Sequence, residues 1–327
     1  MTRVSWLLVL LAGVVTGCDT PTFRVHGPSM GLALPGAHLQ WPCPECQRVT
    51  RCDPIALAEL TCSNCGAHAA RDRARQAPGT LVQLATNTPP QRWDLVAFTH
   101  RHQWMVKRVV GMPGEEVEIA DGDVFINGAR LVKEWAAFQR VCLTVHDDQF
   151  RPASPRWVGT GPEWTVTSSG YRWQGAGAAL EYHHREPGLP HASPHQLFDS
   201  YGYNPGLSRE LHEVRDVAVR WELKLEGDAR LEVKSAIGSS ATFDASGATL
   251  VGTQHPSLSL PPNQWWSCGF GTWDGYTHLE VNGTAATAVP SPPPTTEATP
   301  VPVFRFLATG EGTLALRVIR VERDLYY

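Results

Sequence analysis

The amino-acid sequence predicts a mainly β protein with more than one domain. Glycine, proline and tryptophan are plentiful, and several segments alternate apolar and polar side chains. Alternation with a period of two is typical of half-buried strands, and long amphipathic helices are hard to find. The 327 residues, 42% of them hydrophobic, are enough to bury an ordinary core and to form two domains. The formal net charge of -4 offers no basic surface for a nucleic-acid partner.

The N-terminal segment 1–18 is predicted to be an export signal or a membrane anchor. Arg3 precedes an apolar run, Val4 to Gly17, that is short for a membrane span but typical of the core of an export signal. The letters VTGC, ending at Cys18, resemble a bacterial lipobox, whose cysteine is lipidated after the signal is removed. The alternative is an uncleaved anchor with a chance cysteine. Both alternatives keep the basic end in the cytoplasm and the rest of the chain outside.

A cysteine cluster predicts a metal-binding insert over residues 43–79. Cys43 and Cys46, then Cys62 and Cys65, form two C-x2-C pairs separated by fifteen residues, the spacing at which two knuckles converge on one tetrahedral ion. Four thiolates leave zinc no open position, so the predicted zinc is structural and takes no part in catalysis. The alternative is disulfide bonding, which an exported location favours. Cys52, between the pairs, is left as a spare.

The segment after the knuckles predicts a series of short antiparallel strands. Their limits are Leu95 to Phe98, Trp104 to Val110, Glu116 to Ile119 and Val124 to Ile126, with an Asn127-Gly128 turn after the last.

Lys107 lies in the second predicted strand and shares a face with Met105 and Val109. A lysine among apolar side chains is poorly solvated, which favours its neutral form. A neutral lysine can act as a general base towards a serine hydroxyl. The alternative is that Lys107 and Arg108 form a basic pair on a solvated strand edge.

Three sequence blocks resemble the bacterial type I signal peptidase family, the serine-lysine proteases that remove signal peptides from exported proteins. The blocks are GPSM (27–30), RWDLVAF (92–98) and VKRVVGMPGEEVEIADGDVFING (106–128). The resemblance implies that Ser29 is the nucleophile, that Lys107 is the general base and that Met30 shapes the substrate pocket. It also implies a catalytic core over 19–42 and 80–139 that needs no catalytic cofactor.

The chain departs from the family pattern at several places. Leu32 stands where the family has proline, and His38 stands where aspartate is usual. The family's closing Gly-Asp-Asn and Asp-Ser-Arg segment is not found, and Asp199-Ser200 within FDSYGYN (198–204) is interpreted as a chance match. The chain stops at VIRVERDLYY. These departures keep open a C-terminal truncation or an inactive enzyme.

The second half is predicted to consist of a connecting insert, 140–206, and a jelly-roll-like β-sandwich, 207–327. The insert is rich in proline, histidine and glycine, whereas VRDVAVRWELKLEG from Val214 alternates like a half-buried strand. Similar patterns recur at RLEVKS, HLEVNGT, VFRFLATG and LALRVIRVE, and PSPPPTTEATP from Pro290 is predicted to be a loop. Knuckle insert and sandwich together resemble a planctomycete-like form of the family.

Two residue groups in this half suggest ligand sites, each with a simpler alternative. Tryptophans in NQWWSCGFGTWDG (263–275) suit stacking on sugars, but core packing is the usual role of such residues. His183, His184, His191 and His195 suggest a second metal site, but without a carboxylate or cysteine at a recognisable spacing, surface histidines are the preferred interpretation.

The sequence therefore predicts a membrane-held serine endopeptidase on the outer side of the cell membrane. Its partners are the membrane and precursor proteins that carry signal peptides. The alternative is a catalytically inactive, signal peptidase-like envelope protein whose sandwich binds a glycan or another protein.

Overall fold

The computed structural model describes residues 22–54, 59–85, 88–185, 196–203, 210–252, 258–261, 263–293, 302–325 and 327. Within these ranges the fold is mainly β, as predicted, and all strand pairs are antiparallel. The predicted signal or anchor, including Cys18, lies outside the described residues, as do His191, His195 and most of the loop after Pro290. The helices within the described ranges are too short and too polar to span a bilayer.

The N-terminal part, residues 22–132, forms small sheets of two or three strands. The sheets pair β1 with β7, β8 with β9 and β4 with β5, and order the others as β3-β2-β6 and β10-β11-β12. The strands are β1 (Thr22–Arg24), β2 (His38–Pro42), β3 (Val49–Cys52), β4 (Glu59–Thr61), β5 (His68–Ala70), β6 (Arg75–Ala77), β7 (Leu81–Gln83), β8 (Leu95–His100), β9 (Gln103–Arg108), β10 (Val117–Ala120), β11 (Asp123–Ile126) and β12 (Ala129–Arg130).

Strands β8 to β11 confirm the four strands predicted after the knuckles. Strand β9 ends two residues earlier than predicted, because Val109 already bonds to the turn before β8: its N–H donates to the Asp94 carbonyl, and its carbonyl accepts from the Trp93 N–H. Asn127 and Gly128 both have positive φ, 51° and 80°, as a two-residue hairpin turn of this type requires.

Strand β2 connects the predicted catalytic core to the predicted insert. It pairs with β3 on one side and β6 on the other, both of which lie within 43–79. Trp41 on β2 packs in a small buried cluster with Leu39, Cys52, Leu60 and Ala69. The knuckles therefore share a sheet with the residues that follow the Ser29 region.

The α-helix, α1 (Trp135–Val141), attaches the end of the N-terminal part to the following domain. Seven residues are too few for a stable isolated helix, so tertiary contacts must hold it. Phe138 stacks on Trp273 at 4.2 Å between ring centroids, and Trp135 packs beside both rings. A Cβ at Gly269 would lie 2.1 Å from the Trp135 ring, so the helix can approach this strand only over glycine.

The rest of the chain forms a two-layer β-sandwich. Its strands are β13 (Leu143–Asp147), β14 (Trp157–Gly159), β15 (Trp164–Val166), β16 (Gly170–Gln174), β17 (Ala178–Tyr182), β18 (Val217–Gly227), β19 (Arg230–Ser235), β20 (Ser240–Asp244), β21 (Gly247–Leu250), β22 (Trp266–Trp273), β23 (Tyr276–Val281), β24 (Thr284–Ala285), β25 (Val289–Pro290), β26 (Phe304–Thr309) and β27 (Gly312–Arg323). One sheet runs β15-β16-β27-β18-β22-β23-β24, with β13 also paired to β27 and β25 to β23; the other runs β14-β17-β26-β19-β20-β21.

The predicted connecting insert, 140–206, is wrong over β13 to β17. These five strands belong to both layers: β16 pairs with β27, and β17 pairs with β26. The strands that pair with them lie far along the chain, so no local pattern marks the pairing. The proline- and glycine-rich turns between these short strands therefore made the segment resemble a connecting insert. The sandwich begins at Leu143.

The alternation predicted for β18 is confirmed. Val217, Val219, Trp221 and Leu223 are buried, while the residues between them from Arg220 onwards are partly exposed. They contribute to one continuous core that runs from Trp157 to Val321.

Most of the tryptophans and histidines considered as ligand sites in this half are buried or partly buried in the fold. Trp266 and Trp273 are buried, as the core interpretation predicts, while Trp265 is exposed, with the Arg317 guanidinium 4.0 Å from its ring centroid. The preference for surface histidines is wrong for His184, which is buried with its Nδ1 3.3 Å from the Tyr182 hydroxyl. His183 is partly exposed beside Glu181.

Candidate active site and metal centre

Ser29 lies in a short turn that follows β1. The Gly31 N–H donates to the Pro28 carbonyl (2.8 Å) and the Leu34 N–H donates to the Met30 carbonyl (2.9 Å), so the turn is closed by its own backbone. Ser29 is exposed and Met30 is half-buried. The nucleophile predicted from the sequence is thus accessible to a substrate.

Both ends of the Ser29 turn are attached to one neighbouring segment. The Val25 N–H donates to the Thr80 carbonyl, and the Thr80 N–H donates to the Pro35 carbonyl, each at 2.9 Å. Gly79 lets these segments approach, because a Cβ there would lie 1.8 Å from the Val25 carbonyl oxygen. The turn is therefore held at its base and open at its tip.

Lys107 lies on β9, half-buried, and its backbone partner is Val96 on β8. The rings of Phe23 on β1 and Trp104 on β9 pack with centroids 5.0 Å apart. The strands that lead to Ser29 and carry Lys107 are therefore neighbours. The pairing of the Ser29 hydroxyl with the Lys107 amine stays a prediction.

The other residues of the sequence blocks have structural roles that sequence reasoning missed. Arg92 forms an ion pair with Glu115 (2.6 Å), and Glu115 also accepts from the Met112 N–H (2.7 Å). These contacts hold the pKa of Glu115 below its usual value, and the hydrogen bond from Arg92 has the largest effect. The Arg108 guanidinium donates to the Trp93 carbonyl at 2.8 Å. The sequence signal for this ion pair was an arginine in one block and glutamates in another.

The four predicted metal ligands converge at one point. The sulfur atoms of Cys43, Cys46, Cys62 and Cys65 all lie within 4.8 Å of one another, with Cys43–Cys65 at 3.5 Å and Cys46–Cys62 at 3.7 Å. Zn–S bonds of about 2.3 Å at tetrahedral angles separate sulfurs by about 3.8 Å. A disulfide needs about 2.05 Å. The cysteines of the described residues are all free thiols, so the geometry fits a tetrahedral metal site.

Each knuckle repeats the same backbone arrangement. The Gln47 N–H donates to the Cys43 carbonyl (3.0 Å), and the Gly66 N–H donates to the Cys62 carbonyl (2.8 Å). Gln47 and Gly66 both have positive φ, 61° and 78°, which turns the chain back behind each C-x2-C pair. The spacing of the cysteines, not a long-range contact, determines these turns.

Hydrogen bonds to sulfur favour a thiolate at Cys62. The thiols of Cys46 and Cys65 lower its pKa most, and the Thr50 hydroxyl and the Asn64 N–H, both 3.4 Å from its sulfur, lower it further. Thiolate is the form that binds metal. The same thiol contacts raise the pKa values of Cys46 and Cys65, so the thiolate is favoured at Cys62.

Asn64 fixes the second knuckle to the sandwich, a role that sequence reasoning missed. Its side-chain oxygen accepts from the Asp147 N–H (2.7 Å) and from Arg48 (2.9 Å), and its nitrogen donates to the Phe150 carbonyl (2.9 Å). The His146 ring lies 3.2 Å from the Asn64 carbonyl. Asn64 is fully buried, so the contact is a docked interface.

A buried ion network also joins the two parts of the chain. Lys133 Nζ lies 2.6 Å from Asp274 and 2.8 Å from Asp324, and all three side chains are buried. The Trp273 indole N–H donates to the Lys133 carbonyl at 2.7 Å. No signal in the sequence links these distant positions.

The carboxyl groups of this network are shifted by burial. Asp216 accepts from the Asp274 N–H (3.1 Å), and its burial raises the pKa of Asp216 to about 7. Burial likewise raises the pKa of Asp324 to about 6, against the opposing effect of Lys133. Lys133 is held in the charged form by its two carboxylates, which raise its pKa against the lowering effect of burial.

The N-terminal part carries the exposed Ser29 turn, the paired strands β8 and β9 and the three sequence blocks. A family model of signal peptidases, peptidase S26, matches residues 5–152. This part of the chain belongs to that family.

One curated relative agrees with this assignment. The chain is 30% identical over 73 residues to a probable signal peptidase I-2 of Synechocystis sp., a match that covers 19% of this chain and 34% of that protein. The chain thus spans about a third of the length of this curated relative.

Several solved structures resemble part of the fold at low identity. The carbohydrate binding module CBM66 from Bacillus subtilis matches at 8% identity, covering 51% of this chain and 95% of that chain, with a TM-score of 0.33. An alginate lyase from Corynebacterium sp. matches at 9% identity, covering 50% and 81%, with a TM-score of 0.34. At TM-scores this low the similarities carry no argument about ligand or activity.

Proposed function

We propose that this protein is a membrane-held serine endopeptidase that removes signal peptides from exported precursors. Ser29 is the nucleophile, Lys107 is the general base and Met30 lines the substrate pocket. The family of residues 5–152 supports the reaction class. The observation that carries the residue assignment is which lysines form ion pairs with carboxylates.

Lys107 differs from every other lysine of the chain. The sequence has four, and all lie in the described residues. Lys133 is bound by Asp274 and Asp324, Lys224 by Glu226 (2.6 Å) and Lys234 by Glu232 (3.2 Å). Within the part of the chain that the structure describes, Lys107 is the one lysine without a carboxylate partner. A carboxylate partner favours the charged ammonium, so the three paired lysines are poorly suited to the role of general base.

The proposed reaction uses only groups of the chain and water. The Ser29 hydroxyl oxygen attacks the carbonyl carbon of the small residue that precedes the cleaved peptide bond. Lys107 takes the proton of this hydroxyl during the attack. The Ser29 backbone N–H donates to the oxyanion that forms. The leaving amine takes a proton from Lys107, which leaves an acyl-Ser29 ester, and water activated by Lys107 then hydrolyses the ester and restores the hydroxyl.

We propose that the exposed tip of the N-terminal part faces the outer surface of the membrane. Leu32, Leu81 and Trp104 are 47%, 58% and 57% exposed, and they lie on the Ser29 turn, β7 and β9. Exposed apolar side chains of this size are typical of protein or membrane contacts. A membrane-embedded signal peptide would then reach Ser29 near the surface. An anchor or lipid at the N-terminus, with Cys18 as the lipidation candidate, supplies the attachment.

We propose that Cys43, Cys46, Cys62 and Cys65 bind one structural zinc ion. The support is the fit of their sulfur separations to tetrahedral thiolate coordination. Four protein ligands leave no position for substrate, so the ion stabilises the insert and has no catalytic role.

The experiment that tests the protease uses the complete chain in detergent or vesicles with an exported precursor. Ser29→Ala and Lys107→Met should each abolish cleavage without lowering the unfolding temperature, and the double variant should be no worse than either single variant. Lys234→Met is the matched control, because Lys234 is an exposed lysine on β19 that forms an ion pair with Glu232.

Cleavage that survives Ser29→Ala would contradict the assignment. No cleavage by the complete wild-type chain would favour the inactive envelope protein whose sandwich binds a glycan or another protein.

A further inference from the structure

A short segment of the sandwich domain, residues 197–203, contacts the turn that carries Ser29. It contains Asp199-Ser200, which the sequence pattern predicts to be a chance match to the family's closing segment. The segment lies between the sandwich, the three-stranded sheet β3-β2-β6 and the Ser29 turn.

On one side, the segment is bound to the sandwich. Arg323, buried at the end of β27, donates to the Ser200 carbonyl at 2.7 Å. The Asp199 N–H donates to the His212 carbonyl (2.9 Å), and the Val214 N–H donates to the Leu197 carbonyl (2.8 Å). Its position therefore depends on the sandwich strands.

On the other side, the segment reaches the N-terminal part. The Tyr201 hydroxyl accepts from the Leu32 N–H at 3.2 Å. A Cβ on Gly31 would lie 2.3 Å from the same hydroxyl oxygen. The backbone of Gly31 is outside the left-handed region, so the space occupied by Tyr201, and not the backbone conformation, calls for glycine here. The Asp53 N–H donates to the Tyr203 carbonyl at 2.7 Å.

We propose that Tyr201 is a positioning residue for Ser29. The Ser29 turn bonds to itself through Gly31 and Leu34, and Tyr201 binds the N–H of Leu32 between them. The proposed nucleophile and the proposed oxyanion donor both belong to Ser29, so a small displacement of the turn misplaces both at once. This inference rests on the proposed function. It gives the sandwich a part in catalysis without a contact to substrate.

The kinetic test compares two variants that break the same contact from opposite sides. Tyr201→Phe removes the hydroxyl, and Gly31→Ala forces the hydroxyl away. Each should lower kcat for a precursor peptide by about tenfold with KM unchanged, the size expected for one lost hydrogen bond. The double variant should match either single variant. Tyr276→Phe on β23 is the control and should keep the wild-type kcat.

A merely structural contact gives different results. Unchanged kcat in Tyr201→Phe, a change in KM alone, or losses that multiply in the double variant would each overturn the proposal.

Hydrogen exchange tests the contact independently of activity. Exchange at the Leu32 amide should be at least several-fold faster in Tyr201→Phe than in wild type, with β18 amides unchanged. Equal exchange overturns the proposal. If the wild-type chain does not cleave a precursor, the protease proposal fails, and exchange at Leu32 then decides alone whether Tyr201 holds the turn.

Discussion

The N-terminal part and the sandwich are both built of antiparallel strands, but different interactions hold them together. The sandwich has one continuous apolar core from Trp157 to Val321. The N-terminal part has a buried cluster around Trp41 and Leu60 and a separate cysteine cluster. Its small sheets bury too few side chains to be stable by apolar packing alone.

This difference explains how the candidate active site is supported. The Ser29 turn is exposed and β9 is partly exposed, and such elements need rigid neighbours to hold their geometry. The neighbours are the knuckles, docked through Asn64, the Lys133 network and the Tyr201 segment. The sandwich thus serves as a scaffold for an N-terminal part that has little apolar core of its own.

Removing metal should have the largest effect, and it should affect the N-terminal part far more than the sandwich. Binding energy at a structural zinc site is folding energy, about 10 kcal/mol or more in small domains. A chelator, or Cys62→Ser, should release close to one equivalent of zinc and expose residues 38–77 to hydrogen exchange. Strand β18 should stay protected, because the sandwich core needs no metal.

Metal analysis and exchange mass spectrometry measure both effects. Cys52→Ser is the matched control and should retain zinc, because Cys52 lies outside the four-sulfur cluster. Metal-free purified protein with Cys43 or Cys46 in a disulfide would contradict the zinc site.

Breaking the buried ion network should have the next largest effect. Lys133→Met leaves Asp274 and Asp324 buried without their cation, which typically costs about 3–5 kcal/mol. Urea unfolding of the full chain measures the loss. Lys224→Met, at a partly exposed pair, should cost no more than about 1 kcal/mol. Equal losses in the two variants would show that the network does not join the parts.

The stability of the same interface should depend on pH, with a smaller effect. The pKa of Asp216 is about 7 in the folded chain against an ordinary 3.8. Between pH 4 and 7 the folded state therefore keeps a proton that the unfolded chain has released. The free energy of unfolding should decrease as pH rises through this window, by at most about 1.4 kcal/mol per pH unit from this group.

Asp216→Asn should flatten that slope, because asparagine keeps an acceptor for the Asp274 N–H and cannot titrate. Urea unfolding at several pH values measures the slope in both proteins. An identical slope in Asp216→Asn and wild type would assign the pH dependence to other groups.

Local patterns in the sequence correctly predicted the elements that depend on near neighbours. The strands from Leu95 to Ile126, the Asn127-Gly128 turn and the alternation of β18 follow from side-chain period and turn chemistry. The four cysteines could be grouped because each knuckle is a closed turn with its own spacing. The peptidase family could be recognised from three short blocks that the family model also covers.

The tertiary structure decided what depends on distant partners. Strands β13 to β17 were hidden because their register is set by β26 and β27, at the other end of the chain. Lys133 meets Asp274 across 141 positions, and Leu32 meets Tyr201 across 169. A single hydrogen bond or ion pair leaves no periodic trace in the sequence. Sequence patterns indicate which residues are candidates for catalysis and metal binding, whereas the distant side chains that hold these candidates in place are set by folding.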